Sequence, residues 1–474
     1  MSQVDTDQWV SMFQADQKVV PRSVWGRFAK LRWLVVWATQ VLYYGLPWLE
    51  LNGRQALLFD LEARRFYLGP VVFYPQDLIY LTGLLIISAL SLFLFTAVAG
   101  RVWCGYACPQ TVYTEIFLWF ERLTEGDRPA RLRRSAGRWT VDRIVRSATK
   151  HSIWILFSIW TGFTFVGYFT PIRELSASAL AWSVGHWDLF WIGFYSLATF
   201  FNAGFMREQV CKYMCPYARF QSAMFDADTL LVTYDEQRGE PRGGRSRKAK
   251  PAGLGACIDC TLCVQVCPTG IDIRQGLQYE CIGCAACVDV CDTVMDKMNY
   301  PRGLIRYSTQ NAVLKGWGLD AVFKRMFRPR VLIYTAVVWV LIGLMALALS
   351  HRADLRVDVV RDRTVNHRFV QDGWLENVYQ LNLMNATEFT LQVDVSLANS
   401  SSDLILAADD TTAFQLEAAE SRWVVVRVQA DPDALKPGSN PVDFRVFSTR
   451  DANNQSDGQA AQQVDEPAVF LAPY

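Results

Sequence analysis

Residues 78–100 run for 23 positions without a charge, between Asp77 and Arg101. A helix of about 20 residues crosses roughly 30 Å of hydrocarbon, so this stretch alone points the chain to a bilayer. Four further stretches meet the same length: 31–49, 152–172, 189–206 and 331–350. The first is the weakest, with Arg32 at its start and Pro47 near its end. Composition agrees, with 51% hydrophobic and 20% charged residues, 17 Trp and 28 Phe. Such rings anchor spans at the interface. These values exclude a disordered, collagen-like or small disulfide-stapled chain.

The formal net charge of +1 hides an asymmetry. Residues 352–474 hold 10 Lys+Arg against 19 Asp+Glu, while residues 1–351 hold 37 against 27. Residues 101–150 carry ten Lys+Arg, which places them in the cytoplasm by the positive-inside rule. Five spans then put the N-terminus and residues 207–330 inside and the acidic tail outside. Arg54, Arg64 and Arg65 in the first outer loop weaken the rule locally. All twelve cysteines lie between Cys104 and Cys291, on the expected reducing side. The polar first thirty residues, with Lys18, Arg22, Arg27 and Lys30, do not read as a signal peptide.

Two cysteine runs carry the strongest chemical signal. Cys257-x2-Cys260-x2-Cys263-x3-Cys267-Pro268 is followed by Cys281-x2-Cys284-x2-Cys287-x3-Cys291-Asp292. In a bacterial two-cluster ferredoxin this spacing gives three ligands to one [4Fe–4S] cube and the fourth to the other. The expected sets are Cys257, Cys260, Cys263 and Cys291 for one cluster, and Cys281, Cys284, Cys287 and Cys267 for the second. Structural zinc fits four closely spaced cysteines per run poorly. Two adjacent clusters make an electron wire.

Two shorter motifs stand just past spans two and four: Trp103-Cys104-Gly-Tyr-Ala-Cys108-Pro109 and Val210-Cys211-Lys-Tyr-Met-Cys215-Pro216. They form an internal repeat of two spans followed by Cys-x3-Cys-Pro, which returns both motifs to one face. Cysteines at i and i+4 share a helical face, so each pair can hold a soft metal or form a reversible disulfide. Packing of small apolar thiols at a proline-ended helix is the plainer reading. Met206 and Met214 are thioethers nearby that suit copper(I), though methionines at a membrane commonly pack. The four histidines form no pair at ligand spacing. No Walker loop, dinucleotide fingerprint or Cys-x-x-Cys-His occurs. Arg242, Arg245, Arg247, Lys248 and Lys250 read as a basic linker beside anionic lipid rather than as a nucleic-acid site.

The tail reads as β structure. Thr390–Leu397 and Val442–Phe447 alternate apolar and polar residues, and Trp423–Val426 is a β-branched run. Such strands over about 115 residues suggest a sandwich of immunoglobulin type.

Together, the five spans, both Cys-x3-Cys-Pro motifs, the segment Cys257–Gly270, Gln278-Tyr-Glu-Cys-Ile-Gly-Cys and the tail resemble the FixG/CcoG (RdxA) family of cbb3-type cytochrome c oxidase accessory proteins. The Cys291-Asp292 ending resembles that family too. The resemblance implies a cupric reductase that matures the oxidase, reducing copper(II) to copper(I), with copper as substrate or transient ligand of Cys104, Cys108, Cys211 and Cys215. It implies oxidase subunits and copper-delivery proteins as partners and the bacterial inner membrane as location. Quinol dehydrogenase subunits look similar, and a non-redox assembly scaffold is a third reading. The electron donor stays open, and so does the oligomeric state, a homodimer included.

The expected architecture is a multi-domain integral membrane protein. It has a cytoplasmic segment 1–30, a four-span membrane domain 31–234, a basic linker 235–254 and an α+β two-cluster ferredoxin-like domain 255–300. A connector 301–330, a fifth span 331–350 and a periplasmic β-sandwich 351–474 complete it.

Overall fold

The computed structural model of the chain describes residues 19–247, 253–363, 367–370, 373–387, 389–398, 404–407, 410–450 and 462–473. Lys18, Lys248 and Lys250, named above, lie outside these. The chain divides into two compact units. One comprises residues 1–45, 85–166 and 181–340; the other comprises 46–84, 167–180 and 341–474.

Among the described residues, three helices are long and apolar enough to cross a membrane: Pro75–Ala99, His186–Met214 and Pro329–Ser350. Helices also run through the other two expected spans, with shifted ends. The first is Arg27–Gly45, after which Leu46-Pro47-Trp48 forms a 3-10 turn because proline lacks the donor a continuing helix needs. The other is Val141–Val166, whose early turns carry Asp142, Arg143, Arg146 and Lys150, and which stops six residues short of Ile172.

In the cysteine-bearing unit, Val141–Val166 packs against His186–Phe201 and against Pro109–Glu125. Phe117 and Trp154 are fully buried between them, with ring centroids 5.0 Å apart. Val112, Ile116 and Phe117 of Pro109–Glu125 supply part of this core. A two-stranded antiparallel sheet, Leu231–Tyr234 with Ile305–Ser308, closes the cysteine-rich region. Val232, Leu304 and Ile305 face inward from it onto Ile273, Val288 and Met295.

The other unit holds a sandwich of two antiparallel sheets. One orders Leu404–Leu406, Ser421–Ala430, Leu375–Asn385 and Leu355–Arg361; the second orders Ala413–Leu416, Leu391–Leu397, Gly438–Arg450 and Gln462–Ala472. Alternate residues turn inward, so Tyr379, Leu381 and Leu383 meet Val393, Val395, Phe444 and Val446 in one apolar core. The three strands expected in the tail are present: Leu391–Leu397 starts one residue later than expected, and the other two extend beyond the expected runs. Strands Leu57–Asp60, Arg65–Leu68 and Val71–Phe73 form a further small sheet in this unit. Its Leu58, Tyr67 and Val72 share a cluster with Met384 and Ala386. Buried Asp77 accepts from Arg352 at 2.5 Å and Arg356 at 2.7 Å.

Candidate metal centre

Each ferredoxin-like run bends at two equivalent positions into the left-handed region. These are Asp259 and Thr261 in the first run (φ 51° and 55°) and Gly283 and Ala285 in the second (φ 68° and 57°). Left-handed backbone costs a non-glycine residue roughly 1–2 kcal/mol, and three such residues here hold their loops in a wrap that extended or helical backbone cannot make. The wraps turn the thiols inward. Cys257, Cys260, Cys263 and Cys291 line one cavity. Cys267, Cys281, Cys284 and Cys287 line a second, which Cys263 also borders. The helix Ala286–Met298 makes this crossing, because it carries Cys287 toward one cavity and Cys291, one turn later, toward the other.

Among the described residues, no three His, Cys, Asp or Glu side chains stand at the spacing of a single metal ion. The cysteines instead stand around shared cavities, the arrangement that an iron–sulfur cube with one cysteine per iron requires. Burial pushes the Cys281 and Cys291 thiols up to about 12 and Cys263 to about 11. Burial outweighs the pull of Arg274 on Cys263 and of Arg101 on Cys281, and bound iron would supply the charge that makes these thiols thiolates. Donor type, number and enclosure all fit iron–sulfur clusters.

The Cys-x3-Cys-Pro motifs differ from the expected one-face helical pair. Cys104 lies in the short helix Val102–Tyr106, but Cys108 has φ −59° and ψ 128° and caps the next helix, Pro109–Glu125. In the second motif Cys211 lies in a π-helical turn, Val210–Met214, and Cys215 (φ −76°, ψ 112°) caps Pro216–Met224. The cause is the proline. It excludes the residue before it from α geometry and then serves as the first residue of a new helix. Each motif therefore presents one helical thiol and one at a helix start. Burial raises the Cys108 thiol, against the pull of the Gln110 and Thr111 amides at that helix start.

The four motif thiols lie within electrostatic reach of one another. The fourth apolar helix brings its pair there by leaving α geometry at Asn202, where a π-helical segment Asn202–Met206 begins. Arg207, between the two π segments, has φ 34°, a strained value for an arginine. Its guanidinium is held by Glu121 at 2.5 Å and lies over the Trp154 ring at 5.6 Å. Cys104 and Cys211 pack against the same apolar cluster as Cys284 and Cys287. Cys211 and Cys284 also border a cavity with Arg32, Glu115, Arg207 and Glu208. Met214, by contrast, is exposed.

Sequence reasoning did not single out the residues that bring the two chemistries together. Arg101, read as the end of a span, donates to Tyr279 O in the second run and to Ala218 O beyond the second motif. Tyr307 donates to Gly283 O at 2.5 Å and lies 3.4 Å from the Tyr106 hydroxyl. Arg32, which weakened the first span as a crossing, is buried beside Glu115 at 3.8 Å. A charge inside an apolar run was the only signal for it.

Comparison with known proteins bears on these regions separately. A family described as a 4Fe-4S dicluster domain matches residues 206–310, and one described as a 4Fe-4S binding domain matches residues 81–125. Cys104 and Cys108 are the only cysteines in the latter segment. The family of the IG-like fold at the C-terminal of FixG matches residues 345–473. The nitrogen fixation protein FixG of Rhizobium meliloti is 37% identical over 472 residues, covering 92% of this chain and 87% of that protein. Protein RdxB of Cereibacter sphaeroides is 39% identical over 483 residues, with 99% of each chain covered. Protein RdxA of the same organism is 39% identical over 458 residues, covering 90% of this chain and 95% of that one.

Proposed function

This chain belongs to the FixG/RdxA family, and from that premise we propose that it is a membrane-bound electron carrier that reduces copper(II) to copper(I) at Cys104, Cys108, Cys211 and Cys215. One observation carries the reading: Cys104 and Cys211 pack in one cluster with Cys284 and Cys287, which border a cysteine-lined cavity. When bound, a [4Fe–4S] cluster in each cavity supplies one electron at a time. Thiolates favour copper(I) over copper(II), so the four membrane-edge thiols stabilise the product of that reduction.

In this reading five helices cross the bacterial inner membrane, the three long apolar ones together with Arg27–Gly45 and the later part of Val141–Val166. The N-terminus and cluster ligands are cytoplasmic and the sandwich is periplasmic. The ligand sets are Cys257, Cys260, Cys263 and Cys291, and Cys281, Cys284, Cys287 and Cys267. Copper(I) passes to copper-delivery proteins and to a cbb3-type oxidase under assembly. The test is direct. Anaerobic, dithionite-reduced protein freed of excess reductant is mixed with copper(II) and a copper(I)-specific chelator. Chelated copper(I) stoichiometric with electrons stored is expected. No copper(I) from protein with intact clusters overturns the reading in favour of a scaffold.

A further inference from the structure

We propose that Gly105 is the contact across which electrons leave the second cysteine-lined cavity for the membrane-edge thiols. Cys267, Cys281, Cys284 and Cys287 then form the exit centre, and Cys257, Cys260, Cys263 and Cys291 the entry centre. The inference rests on the reading that both cavities hold iron–sulfur clusters and that the thiols meet copper; it adds the order of transfer and the residue that sets the gap.

Gly105 lies directly beside Cys104 and is buried. A Cβ on it would stand 2.8 Å from Ile282 O, 2.9 Å from Cys284 N and 3.0 Å from Cys284 Cα. All three are backbone atoms, so no side-chain rotation can make room. The contact is reciprocal. Gly283, at φ 68°, sits with its own Cβ position 3.3 Å from the carbonyl carbon and oxygen of Arg101. Two glycines thus let the first motif and the second run touch backbone to backbone, and the Arg101 guanidinium bonded to Tyr279 O clamps the contact. Glycine at a close backbone approach serves such a contact at the cost of chain entropy.

The other cavity has no such neighbour. The apolar cluster that Cys104 and Cys211 share with Cys284 and Cys287 includes none of Cys257, Cys260, Cys263 and Cys291, and Cys260 is exposed to solvent. Cys263 borders both cavities and joins them. An electron arriving at the exposed Cys260 side therefore has a packed course through the Cys263 region to Cys284, and across the non-bonded contact at Gly105 to Cys104. In the last step copper(II) gains one electron and becomes copper(I), the reduced exit cluster loses that electron, and no proton changes place.

The test compares Gly105→Ala and Gly105→Val with wild type and with Gly193→Ala, where a Cβ meets nothing within 4 Å. Purified, cluster-loaded protein is reduced with dithionite, freed of excess reductant and mixed with copper(II), and cluster absorbance is followed to completion. The expected result is several-fold slower reoxidation for Gly105→Ala and near arrest for Gly105→Val. Iron content should be unchanged, and the EPR lines of one reduced cluster should shift while those of the other stay. Gly193→Ala should match wild type. Wild-type rates in both Gly105 variants, or slowing with both EPR signals unmoved, would overturn the proposal. If Gly105→Val loses iron, Gly105→Ala decides alone. A wild-type protein whose reduced clusters ignore copper(II) overturns the functional reading itself, a distinct outcome.

Discussion

Asp289 caps a helix 260 residues earlier in the chain: its carboxylate accepts the backbone N–H of Ala29 at 2.7 Å, and that of Phe28 at 3.2 Å. Asp289 lies between Cys287 and Cys291, so the helix that supplies thiols to both cavities also satisfies the start of the first apolar helix. Gly26 leaves room for this, since a Cβ there would run into the Asp289 carboxyl. Helix starts carry amide donors without intrahelical partners, and an aspartate is among the best acceptors for them.

Replacing Asp289 by Ala should therefore cost about 1–2 kcal/mol, the upper range for a lost cap, because one capped amide is buried. Asp289→Asn keeps an acceptor oxygen and should lose less. Thermal melting in detergent, read together with iron retention, checks both. Equal melting of wild type and Asp289→Ala would show that the cap carries no weight.

Glu121 supplies a pH dependence whose sign follows from its surroundings. Burial would raise its carboxyl, but Arg207 at 2.5 Å and Arg131 at 2.7 Å outweigh burial and hold it below the usual carboxylate range. A depressed folded value means that the stabilisation is complete above the unfolded value of about 4.3 and is lost as pH falls through the folded one. Melting temperature should stay level from neutral pH down to roughly 5 and then drop. Glu121→Gln leaves two buried guanidinium partners short of a charge. It should destabilise by about 3–5 kcal/mol at neutral pH and abolish the acid-side component.

The cysteine grouping was legible because ligand spacing is a local constraint, fixed by how a few residues wrap one centre. The strand Leu375–Asn385 was not legible. Tyr379–Leu383 does alternate, but buried Glu376 and Asn377 at its start and Met384 and Asn385 at its end break the pattern, so the strand reads as too short. The strands of residues 57–73 escaped for another reason: each has four residues or fewer, and their apolar faces are satisfied by Met384 and Ala386, far away in sequence. The contact at Gly105 was hidden likewise. A glycine between two cysteines reads as a loop residue until Cys284 is placed against it.

Iron counting tests the two-cluster reading. Anaerobically purified protein should hold about eight iron and eight labile sulfide per chain. Because thiols such as Cys281 and Cys291 keep their protons until metal arrives, cluster assembly should release protons into a weakly buffered solution. Stoichiometric zinc would sink the electron-carrier reading. Iron well above eight would assign Cys104, Cys108, Cys211 and Cys215 to a further cluster, in keeping with the 4Fe-4S match over residues 81–125.

Sidedness is open to reporter fusions. A reporter active only in the periplasm should be active after Tyr474 and silent when inserted within residues 240–247. The opposite pattern would put the cluster ligands in an oxidising compartment, where the thiols would cross-link instead of holding iron.

The membrane-edge thiols give the sharpest test of copper chemistry, and their position at helix starts makes it cleaner. Cys108 and Cys215 each precede a proline at the first helical position. Serine caps helices well, so the paired change Cys108→Ser and Cys215→Ser should leave both helices intact. The hydroxyl is nonetheless a poor ligand for soft copper(I). The expected outcome is loss of copper(II) reduction with cluster absorbance and melting temperature unchanged. If the thiols only pack, the outcome inverts: reduction survives in the folded fraction while stability falls, since a buried hydroxyl is more polar than a thiol. The single changes add a further distinction. If all four thiols share one metal, each single variant should lose nearly as much activity as the double, as groups acting as a unit do. Two independent pairs would give losses that multiply. Full reductase activity in the double variant, with both clusters present, would remove these four residues from the copper reading and leave the two-cluster carrier standing alone.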